Sequence, residues 1–240
     1  MELPLIELPE VMQELERLGD ERTKRIYMNH GAREPLFGVT VKALKPLAKK
    51  IRKDQRLAEQ LYATGNYDAM YLAGMIADAK AMTEEDFDRW IDQAYFYMIS
   101  DYIVAVTLAE TDFAQRVADR WIASGEDLKM SAGWSCYAWL LGWRPDSDFN
   151  TEKLRAMLET VTQTIHSQPP RTRYSMNGFL IAVGMSYKPL HEEAAKAAAQ
   201  VGPVKVDMPG TKCNVPLASK YIEKAAADGR VGFKRRAVRC

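Results

Sequence analysis

The sequence has little of what most enzyme centres are built from. Its three histidines, His30, His166 and His191, are scattered among 240 residues, too far apart to suggest a metal centre. Its three cysteines, Cys136, Cys213 and Cys240, are odd in number and widely spaced. That argues against a disulfide framework and a CxxC metal site, and for a reducing cytoplasm. There is no P-loop, no GxGxxG, no HExxH and no GxSxG, so no metal or other cofactor is expected. No apolar run is long enough to cross a bilayer, and no membrane partner is expected. The opening MELPLIELPEVMQELERLG lacks the basic and apolar regions of a signal peptide. Convincing strands are also missing; GPVKVDM is the one short candidate.

What remains is helical. Apolar residues recur at spacings of three and four almost throughout. The apolar content of 47% and charged content of 27% are ordinary for a globular chain, and the length suffices for a substantial core. Polar residues mark helix starts. Pro9 suits the first turn of a helix ending at Leu18, and Asp20, Thr40, Asp54 and Asn66 each precede a periodic stretch. Thr83 has Asp86 three residues on, a capping-box pattern. Ser100 or Asp101 is expected to open the next helix, Thr111 or Asp112 the following one, then Asp127 and Thr151. Helices are further expected over Arg173 to Tyr187 and Pro189 to Val201. The start signals at Asp54, Thr83, Asp112 and Thr151 are 29, 29 and 39 residues apart. That is close to the period of two-helix repeats. The expected fold is all-α, a HEAT-like helical-repeat solenoid whose stacked antiparallel pairs make a concave groove. A compact irregular bundle is the alternative. One domain is expected over residues 1–228, with a basic tail over 229–240.

Net charge is +1, but it is unevenly spread. From Lys196 onward there are ten basic and three acidic residues. A basic end on a mildly acidic body suggests a polyanionic partner, or a solvated end that aids solubility. In GRVGFKRRAVRC, Arg230, Lys234, Arg235, Arg236 and Arg239 stand without an acidic residue and could neutralise several phosphates without reading sequence.

Three other features carry chemistry. In YMISDYIVAVT, Asp101 is the single formal charge of a long apolar stretch. A buried carboxylate is costly, so it needs a reason. It either caps the helix or serves a site. Tyr97, four residues earlier, shares its face on a helix, and a ring beside a carboxylate suits a cation. In SAGWSCYAWLLGW, Trp134 and Tyr137 lie on one face, Trp139 and Trp143 on another. Both faces can be buried only if the helix is central, so one pair is expected to line a groove, with Trp134 as the candidate. In RTRYSMNGFLIAVG, Arg171 and Arg173 flank a helix start, a favourable place for phosphate.

HGAREPLFGVTVKALKPLAKKI, QLYATGNYDAMYLAGMIAD, RYSMNGFLIAVG and KVDMPGTKCNVP…YIEKAAADGRVGFKRRAVRC together resemble the bacterial DNA alkylation repair family with HEAT-like repeats, which includes AlkD-type alkylpurine DNA glycosylases. The resemblance runs from about Asp20 onward, and the ending is typical of one subgroup. It implies a partner, duplex DNA, and an activity, excision of cationic N-alkylated purines. It also implies that Asp101 is the carboxylate that stabilises the cationic sugar, with Tyr97 in place of the tryptophan four residues before it. The family's arginine falls at or near Ser131. Its second tryptophan falls within NGFLIAV, which has none. A member that binds without catalysis, or a protein-interaction scaffold, therefore stands beside the glycosylase reading. Trp134, Arg171, Arg173, Lys234, Arg235 and Arg236 are the expected DNA contacts.

Overall fold

Short polar side chains decide where six of the described α-helices begin. The computed structural model describes residues 6–206 and 214–239. Cys213, Cys240 and the last two residues of GPVKVDM lie outside the described residues. Helices α1 (Leu8–Leu18), α2 (Glu21–Asn29), α3 (Val41–Ile51), α4 (Gln55–Ala63), α5 (Tyr67–Ile76) and α6 (Glu84–Gln93) come first. The carboxylate of Asp20 accepts from the Thr23 N–H, Thr40 from Ala43, Asp54 from Leu57, and Asn66 from Asp68 and Ala69. Each occupies a donor that the first helical turn leaves open. Thr83 and Asp86 complete the expected reciprocal box.

Then come α7 (Tyr97–Ile99), a π-helical segment (Ser100–Val104) and α8 (Ala105–Leu108), without interruption. This corrects the expected start at Ser100 or Asp101: the helix begins at Tyr97, with Phe96 in the cap position and no side-chain cap bond. Helices α9 (Ala114–Ile122), α10 (Asp127–Leu141), α11 (Thr151–Thr164), α12 (Pro170–Ser186), α13 (His191–Val201) and α14 (Ala218–Ala227) follow. Helix α9 also starts later than expected, after Phe113. Helix α14 has no counterpart in the sequence reading, and Gly202 to Val206 form no strand.

The chain divides into two compact units that meet in sequence at Thr107 and Leu108. In the first, α5 is the central helix, buried along nearly its whole length. It packs on α3, α4 and the π-helical segment. Gly74 permits the last contact, because a Cβ there would lie 2.4 Å from Ile103 Cγ2. In the second unit, α10 lies against both α9 and α12, and α12 also meets α13 and α14. Helix α10 is therefore central, which is why its sequence is apolar all round. Among the described residues, no helix is long and apolar enough to cross a membrane.

Candidate functional site

The Asp101 turn belongs to the first unit. Asp101 is 3% exposed and sits in the π-helical segment, a full turn inside the helix. Asp101 therefore does not stand at the cap position of this helix, which Phe96 holds. Ser100 Oγ donates to Asp101 Oδ1 at 2.8 Å. A π-turn inserts one residue into the helical register, which re-aims the side chains on either side. Tyr97 opens the same helix, half-buried. Its ring meets Phe96 edge-on at 4.7 Å, and its hydroxyl lies 3.4 Å from His30 Nδ1.

The neighbouring aromatics form one cluster. Tyr67 is fully buried, with its ring 4.9 Å from Tyr27 and 5.5 Å from Phe96. Burial pushes the Tyr67 phenol far above its ordinary range and that of Tyr27 up to about 12. The Tyr27 hydroxyl donates to the Val39 carbonyl at 3.1 Å. A second buried carboxylate, Asp68, holds the loop between α2 and α3. It accepts from the Phe37, Gly38 and Val39 N–H groups at 2.6, 3.0 and 2.8 Å. Burial raises its pKa, and the three N–H bonds pull the other way. The loop needs glycine where φ is positive: Gly38 has φ 81, and a Cβ there would lie 2.5 Å from the Lys24 backbone nitrogen. Sequence reasoning missed Asp68, although a signal was present. It is the lone charge of YDAMYLAGMI, just as Asp101 is the lone charge of its own stretch.

The other candidate residues belong to the second unit and do not converge on one surface there. Trp134 is 2% exposed and packs edge-on against Phe179 at 5.1 Å, so it is core. Trp139, near the end of α10, and Trp143, in the turn after it, are half-buried, lying under Arg235 at 4.9 Å and Arg144 at 4.8 Å. The start of α12 is already occupied: Asp127 Oδ2 accepts from the Arg171 N–H and its Oδ1 from the Thr172 N–H. Arg171 lies over the Tyr174 ring at 4.7 Å. Arg173 donates to the Lys205 and Gln168 carbonyls. Ser131 is fully buried, and its hydroxyl donates to the Arg171 carbonyl at 3.2 Å.

Residues 230–239, set apart as a tail in the sequence reading, pack on the end of α10. Lys234 Nζ donates to the Leu141 carbonyl and pairs with Asp146, both at 2.8 Å. Arg235 donates to the Trp139 and Gly142 carbonyls at 3.1 and 3.4 Å. These carbonyls are ones that a helix end leaves open, and cations there also suit the helix dipole. Arg239 pairs with Glu110 at 3.3 Å. Arg236 is exposed.

Comparison with known proteins agrees with this architecture. Residues 11–214 match the model of a family described as DNA alkylation repair enzyme. The chain belongs to the DNA alkylation repair family. An uncharacterised Listeria innocua protein, Lin0241, is 34% identical across 92% of this chain and 98% of its own length. A Listeria monocytogenes counterpart, Lmo0209, is 32% identical over the same shares. A solved structure, described as a new family of proteins related to the HEAT-like repeat DNA glycosylases with affinity for branched DNA structures, is 60% identical. It superposes with a TM-score of 0.91 over 98% of this chain and 100% of that one. The fold of this DNA alkylation repair family member is all-α and HEAT-like.

Proposed function

We propose that this protein is a DNA-binding member of the DNA alkylation repair family that prefers branched over continuous duplex DNA. The observation that carries this reading is the structural relative with affinity for branched DNA, matched at 60% identity over nearly the whole chain. Charge supports it independently: the described residues after Pro216 hold seven basic and two acidic side chains. Lys234, Arg235 and Arg239 spend their charge on α10 and on Glu110. That leaves Lys220, Lys224, Arg230 and Arg236 as the cations for phosphate. The test is a mobility-shift titration of a labelled four-way junction against excess linear duplex of the same sequence. Retention of the junction complex supports the reading; equal competition by linear duplex removes the preference for branches.

Excision of cationic N-alkylated purines is the second reading, favoured by Asp101. A carboxylate held away from water can stabilise the positive sugar that forms as the base departs. A cationic base needs no general acid to leave, so no further titrating group is required. Against it stand the two departures from the family pattern. The resemblance puts the family's arginine at or near Ser131, which is buried, and NGFLIAV contributes Phe179, Leu180 and Val183 to the core. Binding is therefore the primary reading. Incubation with methylated duplex and assay of free base tests the second: release that disappears in Asp101→Asn supports it, and no release from the parent rejects it.

A further inference from the structure

The segment after α14 is tied down on both sides of one exposed ring. The Arg230 N–H donates to the Ala225 carbonyl and the Gly232 N–H to the Met185 carbonyl, both at 2.8 Å. Gly232 has φ 81, and a Cβ there would lie 2.8 Å from Lys188 Cγ, so this turn sits directly on the Lys188 stem. The Arg235 N–H then donates to the Gly142 carbonyl at 2.8 Å. Between these anchors Phe233 is 53% exposed, the highest value for any large apolar side chain among the described residues. The Arg230 guanidinium lies 4.8 Å from its ring centroid. Lys188, Arg230 and Arg236 have no ion-pair partner among the described residues.

An aromatic ring and an arginine plane, fixed on anchored backbone and flanked by free cations, match the chemistry of nucleobase stacking beside a phosphate backbone. The interior of a continuous duplex offers no free base face, because each base pair is covered by the next. A branch point does, at the unstacked or terminal pairs where its arms part. We infer that Phe233, with Arg230 against it, is a stacking platform for an exposed nucleobase at a DNA branch, with Lys188 and Arg236 on the adjacent phosphates. This rests on the DNA-binding reading and assigns it a residue that separates branched from continuous DNA. Anchoring matters here, since a ring already ordered loses little freedom on binding.

The experiment uses the full-length protein, Phe233→Ala and Phe233→Trp, with a three-way junction carrying 2-aminopurine at the branch and a linear duplex of equal length. Phe233→Ala weakens junction binding about tenfold, the order expected for one lost stacking contact, and leaves linear binding unchanged. Phe233→Trp retains junction affinity, and the 2-aminopurine signal changes with the parent and Phe233→Trp but not with Phe233→Ala. Thermal melts of all three show that the exposed substitution leaves the fold intact. Equal junction affinity for parent and Phe233→Ala overturns this inference and leaves DNA binding standing. No junction binding by the parent overturns both.

Discussion

At the residue scale, the two lone carboxylates carry different loads. Asp68 is acceptor to three backbone N–H groups and organises a loop; Asp101 has the Ser100 hydroxyl and sits in the π-turn. The isolation of Asp101 in an apolar stretch was legible in the sequence. Its true setting was not, because a π-turn is a change of register and leaves no mark in apolar periodicity. Asparagine keeps the shape of Asp101 and still accepts from Ser100. Asp101→Asn therefore keeps the fold and changes stability by less than about 2 kcal/mol, since shape and the Ser100 bond are both retained. A stability loss above about 2 kcal/mol in chemical denaturation would instead mark the charge as a structural tie. Two half-buried tyrosines give a pH dependence. The Tyr27 and Tyr95 phenols are each raised to about 12, mainly by burial. A raised folded pKa contributes stability that is fully present below the unfolded value, near 10, and is lost as pH rises through about 12. Stability is accordingly insensitive to these phenols up to about pH 10 and falls between about 10 and 12. Denaturation midpoints read alongside tyrosinate absorbance check this.

At the element scale, helix starts separate what sequence could tell from what it could not. Where a side chain caps the helix, at Asp20, Thr40, Asp54, Asn66 and Thr83, the boundary was readable. After Phe96, Phe113 and Leu217, which give no side-chain bond, the start was misplaced or the helix was missed. Helices α1 and α10 also lack such a bond, yet Pro9 and Asp127 marked them. The tryptophans of SAGWSCYAWLLGW show the same limit. Periodicity put them on two faces, but which face is covered depends on α12 and on Arg235, more than ninety residues away. That contact makes a prediction. Arg235→Ala removes a charged donor from two carbonyls of the α10 end and costs about 1–3 kcal/mol. A Cβ on Gly142 would lie 2.4 Å from Arg235 Nη2, so Gly142→Ala displaces the same guanidinium. In a double-mutant cycle the two losses are not additive, and Gly142→Ala costs little once Arg235 is gone. Fully additive losses would mean the contact does not form.

At the scale of the whole molecule, the family and the all-α HEAT-like fold were legible from repeat spacing and segment resemblance. The use of the basic end was not. Read linearly, it is a run of cations open to phosphate. Folded, Lys234 and Arg235 cap a helix, Arg239 pairs with Glu110, and Arg230, Arg236 and Phe233 are left outward. The measurement that tests the DNA-binding account most directly is fluorescence anisotropy of the full chain with a four-way junction and with linear duplex of equal length, repeated from 50 to 200 mM salt, about the range over which phosphate contacts lose most affinity. The account predicts tighter junction binding at every salt concentration, with log affinity falling linearly against log salt. Identical curves for the two DNAs, or junction affinity that does not change with salt, would contradict it.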